Sequence, residues 1–192
     1  MENIIMMYIT LLPIVFAGII NSIFCKKFKY NYPIDFNKNF IDGKRIFGKN
    51  KTWKGFIGYI FFSIIFTIIW GIICNKCNLN HLNYFYINYS NTYQFNIKIG
   101  ILIGLFYALF ELPNSFIKRR LNIIEGKNTT GLKKIIFIFI DQADSIFGCA
   151  LVVWMFYDLG IFLYLLFVIV GAITHIVINI LLYLLHLRKN MF

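Results

Sequence analysis

The sequence predicts an all-α polytopic membrane protein: five transmembrane helices, N-terminus outside, C-terminus cytoplasmic, and two basic cytoplasmic loops. Three observations predict it. The 192 residues are 59% hydrophobic and only 14% charged, whereas a soluble domain has about 25% charged residues. Five stretches are apolar over roughly the 20 residues a bilayer core requires. Finally, 17 of the 19 Lys and Arg residues fall on one side of an alternating five-span topology, as the cytoplasmic bias of basic residues demands. The composition excludes an ordinary soluble enzyme, a disordered chain and a disulfide scaffold, for which four cysteines are too few. The net charge of +11 therefore reads as membrane topology, and no nucleic-acid partner is expected.

Residues 4–25 carry no charge and form the first span. Met1–Thr10 has one acid and no base, so it lacks the positive start of a signal peptide and helix one is expected to stay in the mature protein. The loop 26–54 holds nine basic residues, and 55–73 is the second span. The polar stretch 74–98 has two basic residues. Its Tyr84, Phe85, Tyr86, Tyr89 and Tyr93 are expected to form an interfacial aromatic belt. Cys74-Asn75-Lys76-Cys77 lacks the second Cys or His pair that a metal site needs, and Asn88-Tyr89-Ser90 is a glycosylation sequon. The third span, 99–117, is apolar apart from Glu111, and the loop 118–134 holds six basic residues. The fourth, 135–157, is apolar apart from Asp141 and Asp144. After the turn at Asp158–Gly160 comes the fifth, 161–187, followed by Arg188 and Lys189. His175 and Asn179 share a face and, like Asn21 and Ser22 on the first span, read as helix–helix hydrogen bonds; Cys149 reads as packing. One membrane-embedded domain over residues 1–192, in the cell (cytoplasmic) membrane, is expected.

Two features exceed what an anchor needs. The segment Asp42-Gly43-Lys44-Arg45-Ile46-Phe47-Gly48-Lys49-Asn50-Lys51-Thr52-Trp53-Lys54-Gly55 interleaves cations with three glycines. Glycine lets a backbone approach a ligand closely, and Lys and Arg match phosphate. It is not a P-loop: Asn50 stands where the hydroxyl ligand of Mg²⁺ belongs, and no strand precedes the glycines. The second feature is acid inside the membrane. Asp141 and Asp144 are three apart on one helix face, where each carboxylate costs about 2.5–3.5 kcal/mol to insert. Such acids call for a structural ion pair or polar lock between helices or, the better-supported expectation, a Mg²⁺ ion, which commonly takes one or two protein carboxylates plus substrate phosphates. Lys118-Arg119-Arg120 beside these acids is a candidate phosphate clamp.

The Asp42–Gly55 segment resembles the first cytoplasmic loop of the CDP-archaeol synthase family. Ser115-Phe116-Ile117-Lys118-Arg119-Arg120-Leu121, followed by Asp141-Gln142-Ala143-Asp144, resembles the same family, itself similar to the C-terminal part of phosphatidate cytidylyltransferases. The resemblance extends over the full chain. One departure is Phe110-Glu111, where the family often has Gly-Asp; Glu111 keeps the carboxylate. The resemblance implies a single cytidylyltransferase domain that converts CTP and a lipid phosphate (archaetidic or phosphatidic acid) to a CDP-lipid of the CDP-archaeol or CDP-diacylglycerol type and pyrophosphate, with Mg²⁺. It implies catalytic roles for Asp141, Asp144, Lys118 and Arg119, and metal ligation by Asp141, Asp144 and Glu111. Substrate binding then falls to Lys44, Arg45, Gly48, Lys49, Asn50, Lys51, Thr52, Ser115 and Arg120, with membrane lipids as surroundings. Glu111 lies seven residues before Lys118 and Asp141 seven after Lys134. At 1.5 Å per residue both are roughly 10 Å below their flanking charges, so a polar cavity lined by all three acids is expected, with Pro113 bending the helix beside Glu111. The alternative is a non-enzymatic transporter or anchor protein with an intramembrane acidic site.

Overall fold

The computed structural model describes residues 2–124 and 132–187. Lys127, Arg188 and Lys189 of the basic map lie outside the described residues, as does the Lys133 side chain. The elements are α1 (Glu2–Lys27), α2 (Trp53–Lys76), a 3₁₀ turn (Asn80–Leu82), the short α3 (Tyr84–Ile87), α4 (Tyr93–Arg120), α5 (Leu132–Phe156) and α6 (Gly160–Leu184). Five of these helices are long and apolar enough to cross a membrane, with mean hydropathy from 1.7 to 2.7 over their best windows. The shortest such helix exceeds the roughly 30 Å hydrocarbon core at 1.5 Å per residue. Among the described residues there is no strand, only isolated bridges at Pro33–Thr52 and Asn39–Arg45.

The helices pack as a ring of sequence neighbours: α1 on α2, α2 on α4, α4 on α5, α5 on α6, with α6 returning to α1 over a shorter stretch. Lipid offers no hydrophobic drive for helices to associate, so close backbone approach has to supply van der Waals contact. Gly100 and Gly104, one turn apart on α4, supply it against α2. A Cβ at Gly100 would lie 2.6 Å from Ile64 Cα, and one at Gly104 would lie 2.5 Å from Ile60 Cα. The Thr67 hydroxyl adds a crossing hydrogen bond of 2.9 Å to the Asn96 carbonyl.

Helix ends follow their caps. Thr92 accepts from the Phe95 amide at 3.3 Å and starts α4 six residues before the apolar stretch begins, drawing Lys98 into the helix. Thr52 caps α2 in the same way, accepting from Gly55 at 3.3 Å. α4 runs unbroken through Pro113.

The segment between α2 and α4 departs from the expected belt. Tyr89 and Tyr93 are exposed, but Tyr84 and Phe85 are 1% and 3% exposed. The Thr10 hydroxyl accepts from the Tyr84 amide, and Asn83 caps α3 by accepting from Phe85. With its amides satisfied, the turn inserts its rings between α1 and α5, where Tyr84 meets Tyr157 at 5.0 Å and Phe85 meets Phe156 at 6.1 Å. Cys74 is buried, Cys77 exposed, and both are free thiols. The polar contacts expected of Asn179, His175 and Asn21 form: Asn179 donates to Gln142, His175 Nδ1 lies 3.2 Å from the Gln142 carbonyl, and Asn21 donates to the Gly55 carbonyl at 3.0 Å. Cys149 is fully buried.

Candidate active site

The basic loop between α1 and α2 is organised around Asp35, which is 4% exposed. Its carboxylate accepts from Arg45 Nε at 2.8 Å and from a terminal guanidinium nitrogen at 2.9 Å. It also accepts from the amides of Asn37 at 3.0 Å and Phe47 at 3.1 Å. Burial pushes the Asp35 pKa up, but these hydrogen bonds and the Arg45 charge outweigh it and hold the carboxyl below its usual value. The chain can turn back at Gly43, whose φ of 72° suits glycine.

The folded loop is then fastened to the end of α4. The Gly48 amide donates to Ser115 Oγ at 3.1 Å, and Lys44 Nζ donates to the Arg120 carbonyl at 2.8 Å. Arg120 donates to the carbonyls of Arg45 and Ile46, pairs with Asp42 at 3.1 Å, and stacks on Phe116 at 3.7 Å. Five residues expected at the substrate, Lys44, Arg45, Gly48, Ser115 and Arg120, are thus engaged by the protein's own acceptors and donors. Thr52 serves as a helix cap. The cause is local: helix ends leave carbonyls unpaired, and neighbouring cations satisfy them.

That docking carries the end of the loop onto the acids. Lys51 pairs with Glu111 of α4, and Lys118 pairs with Asp141 of α5. Asn114 lies between the two aspartates: its amide nitrogen donates to Asp141 Oδ1 at 2.7 Å and Asp144 Oδ2 at 2.8 Å. Asp144 also accepts from the Ser145 amide at 2.6 Å. Burial pulls the Lys51 pKa down, but Glu111, then Asp144 and Asp141, hold it above the ordinary lysine value, so it stays charged. Two ammonium groups thus face three carboxylates, a formal balance of −1 that lowers the cost of acids among apolar helices.

A polar cavity of about 300 Å³ adjoins this cluster, lined by Asn21, Lys49, Asn50, Lys51, Lys54 and Glu111 among others. The aspartates do not line it. Asp144 bonds to Asn114 and Asp141 is paired with Lys118, so of the three acids only Glu111 lines this cavity, unlike the single cavity expected around all three. Arg119 is half-buried beside Lys118. Among the described residues no group of three or more His, Cys, Asp or Glu side chains is arranged to hold a metal ion. The paired aspartates still suit a hard divalent cation that takes one or two protein carboxylates and completes its shell with phosphate and water.

Two residues of this arrangement were missed in the sequence. Asn114 carried a signal: it lies three residues after Glu111 and four before Lys118, on the face they share. Asp35 carried none, because its partners are up to 12 residues away.

A family model described as CarS-like, CDP-archaeol synthase, matches residues 1–192. The chain belongs to the CDP-archaeol synthase family. A CDP-archaeol synthase of Pyrococcus furiosus is 36% identical over 100 residues, 52% of each chain. One of Pyrobaculum islandicum is 29% identical over 170 residues, 88% of each chain. The chain thus spans about half the length of the Pyrococcus relative it matches, and most of the Pyrobaculum one. A solved structure titled as an intramembrane enzyme for archaeal membrane lipid biosynthesis has the same fold. Its TM-score is 0.64 at 19% identity, covering 90% of this chain and 92% of the other. Of the segments that resemble this family, Asp42–Gly55 supplies Lys51, Ser115–Leu121 supplies Lys118 and Asp141–Asp144 supplies the aspartates of the cluster, while Glu111 and Asn114 lie just before the second segment.

Proposed function

We propose that this protein is a CTP:lipid-phosphate cytidylyltransferase. It forms a CDP-lipid and pyrophosphate from CTP and an archaeal ether-linked lipid phosphate. The observation that carries this reading is the docking of a lysine-rich loop onto intramembrane carboxylates, beside a cavity of about 300 Å³. The family assignment supports the same reading and leaves the transporter or anchor alternative without support. The two basic loops face the cytoplasm, where CTP is, and the chain acts as one multi-pass domain of the cell membrane.

In the reaction an oxygen of the lipid phosphate attacks the α-phosphorus of CTP. The new P–O bond forms as the α–β anhydride breaks, and the electron pair leaves with pyrophosphate. Lys49, Asn50 and Lys51 line the cavity and bind phosphate oxygens. Lys51 exchanges its Glu111 partner for triphosphate, as a buried ammonium can when one anion replaces another. Lys118 and Arg119 hold the second phosphate near Asp141. Asp141 and Asp144 would hold Mg²⁺, which would supply charge neutralisation for the crowded phosphates. Asn114 keeps the two carboxylates aimed at one point. Catalysis by positioning and charge is what phosphorus transfer chiefly requires. The test is purified protein with α-labelled CTP, Mg²⁺ and archaetidic or phosphatidic acid. Label in the lipid with equimolar pyrophosphate is expected. No transfer to either lipid would contradict the reading.

A further inference from the structure

The loop between α1 and α2 carries a surface that the reaction does not use. Phe28, Tyr30, Tyr32, Phe36, Phe40 and Ile41 are all exposed, Tyr30 at 88% and Ile41 at 95%. None of them lies in a span, because α1 ends at Lys27 and α2 begins at Trp53. A lone exposed apolar side chain is ordinary, whereas a collection of them on one loop marks an interaction surface. Lys27, Lys29 and Lys38 stand among them and are exposed too. Lys26 donates to the His186 carbonyl at 2.8 Å. Among the described residues, the ammonium groups of Lys27, Lys29 and Lys38 have no hydrogen-bond or ion-pair partner. Asp35, the only acid between Lys26 and Ile41, is buried against Arg45. The exposed face is therefore aromatic and positive, with no acid to balance it.

Three contacts set the level of this face. Lys54, in the first turn of α2, donates to the Phe28 carbonyl. The Tyr32 ring lies 5.8 Å from Phe36, Phe36 lies 6.1 Å from Trp53, and Trp53 lies 6.0 Å from Phe56. That path of rings enters α2 and carries on to Ile57 and Phe61, which point outward from the span. At the far end of the loop Phe40 meets Phe116 at 5.2 Å, near the end of α4. Span ends lie where hydrocarbon gives way to headgroups, and amphipathic rings favour that level. The apolar surface of α2 thus continues without a break onto the loop.

We infer that the face formed by residues 27–41 docks on anionic lipid headgroups of the leaflet from which the loop emerges. Its rings and Ile41 seat among the upper acyl carbons, and Lys27, Lys29 and Lys38 meet the phosphates. Basic residues beside a span are drawn to an anionic leaflet, and neighbouring apolar side chains add burial at the headgroup boundary. The same stretch supplies Asn31 and Ile34 to the wall of the lysine-lined cavity, so docking holds the cavity mouth at headgroup depth. The inference goes beyond the cytidylyltransferase reading, and its test needs no turnover.

The test places a polarity-sensitive fluorophore on Ile41→Cys. Cys77→Ser removes the exposed native thiol, and the same protein without Ile41→Cys supplies the background. Emission is read in nanodiscs of phosphatidylcholine alone and of phosphatidylcholine with phosphatidylglycerol in equal parts. A blue shift in the anionic discs relative to the neutral ones is expected. It should be lost at about 1 M NaCl, where the Debye length falls to about 3 Å. The combined Lys27→Gln, Lys29→Gln and Lys38→Gln variant should lose the same shift at low salt with its melting temperature unchanged. The salt arm needs no lysine substitution, so it decides the matter even if that variant is poorly folded. A water-exposed emission in both membranes would overturn the inference and leave the face to a protein partner. An equal blue shift in both membranes, or one that survives high salt, would overturn it as well, because apolar contact alone would then explain the docking.

Discussion

Two sets of cations border the same loop and do different work. Lys44, Arg45 and Arg120 face acceptors that the fold itself leaves open: a helix-end carbonyl, a buried carboxylate, and loop carbonyls. Lys51 and Lys118 face acids inside the membrane-spanning helices. In the sequence the two sets are alike, interleaved as Lys44, Arg45 and Lys51 in one loop and as Lys118 and Arg120 at the end of α4. The difference lies in what surrounds each ammonium or guanidinium. A cation satisfied by the protein's own carbonyls has a fixed geometry and little reason to release it. A cation held by a carboxylate beside an open cavity can trade partners when a phosphate arrives. The first set should therefore govern stability and the second turnover.

The largest effect is expected at the scaffold. Asp35→Asn leaves the Arg45 guanidinium without its buried partner, which typically costs roughly 3–5 kcal/mol. Thermal unfolding followed by the fluorescence of Trp53, whose ring lies 6.1 Å from Phe36, should shift down accordingly. Because the folded Asp35 pKa is depressed, its stabilisation is fully present above the unfolded carboxylate value of about 3.9. It is lost only as pH falls through the lower folded value. Wild-type stability from this group should thus be flat from pH 5 to 8, and a loss of loop structure beginning near pH 6 would break the assignment.

Asp144→Asn should do the reverse. It removes a charge that burial disfavours, so the protein should fold at least as well. Turnover should drop by about 10²–10³-fold, the scale of losing one group that stabilises developing charge. A purified variant with most of its activity at saturating Mg²⁺ would remove this residue from the metal assignment.

Asn114→Ala sharpens the comparison at smaller scale. The aspartates lose the donor that aims them, and outer hydrogen-bond partners of ligands are commonly worth 10–100-fold in metal affinity. Mn²⁺ titration by electron paramagnetic resonance should show weaker binding of that order. Rescue should be partial with Asn114→Gln, which keeps the amide. Unchanged Mn²⁺ affinity with a lowered melting temperature would make Asn114 a packing residue only.

The spans were legible because hydropathy and charge alternation repeat over long windows, where single exceptions such as Lys98 cannot hide the pattern. The acids were legible because a carboxylate amid apolar residues is costly wherever it falls. Asn114 was obscured because an amide in a helix has no fixed meaning until its neighbours across the bundle are known. The structural work of Lys44 and Arg120 was hidden for the same reason: charge patterning shows that a residue is cationic, not which carbonyl a returning loop will present. The burial of Tyr84 depended on Thr10, 74 residues away, and no local window contains that contact.

The division between the two sets of cations is tested most directly by one pair of measurements. These are kcat/KM for CTP of purified Lys51→Met and of Lys44→Met, each beside its melting temperature. Lys51→Met should lose about a hundredfold in kcat/KM. Lys44→Met should stay within about threefold while losing on the order of 1 kcal/mol of stability with its hydrogen bond. Equal losses of kcat/KM in both variants, or a larger loss in Lys44→Met, would contradict the account.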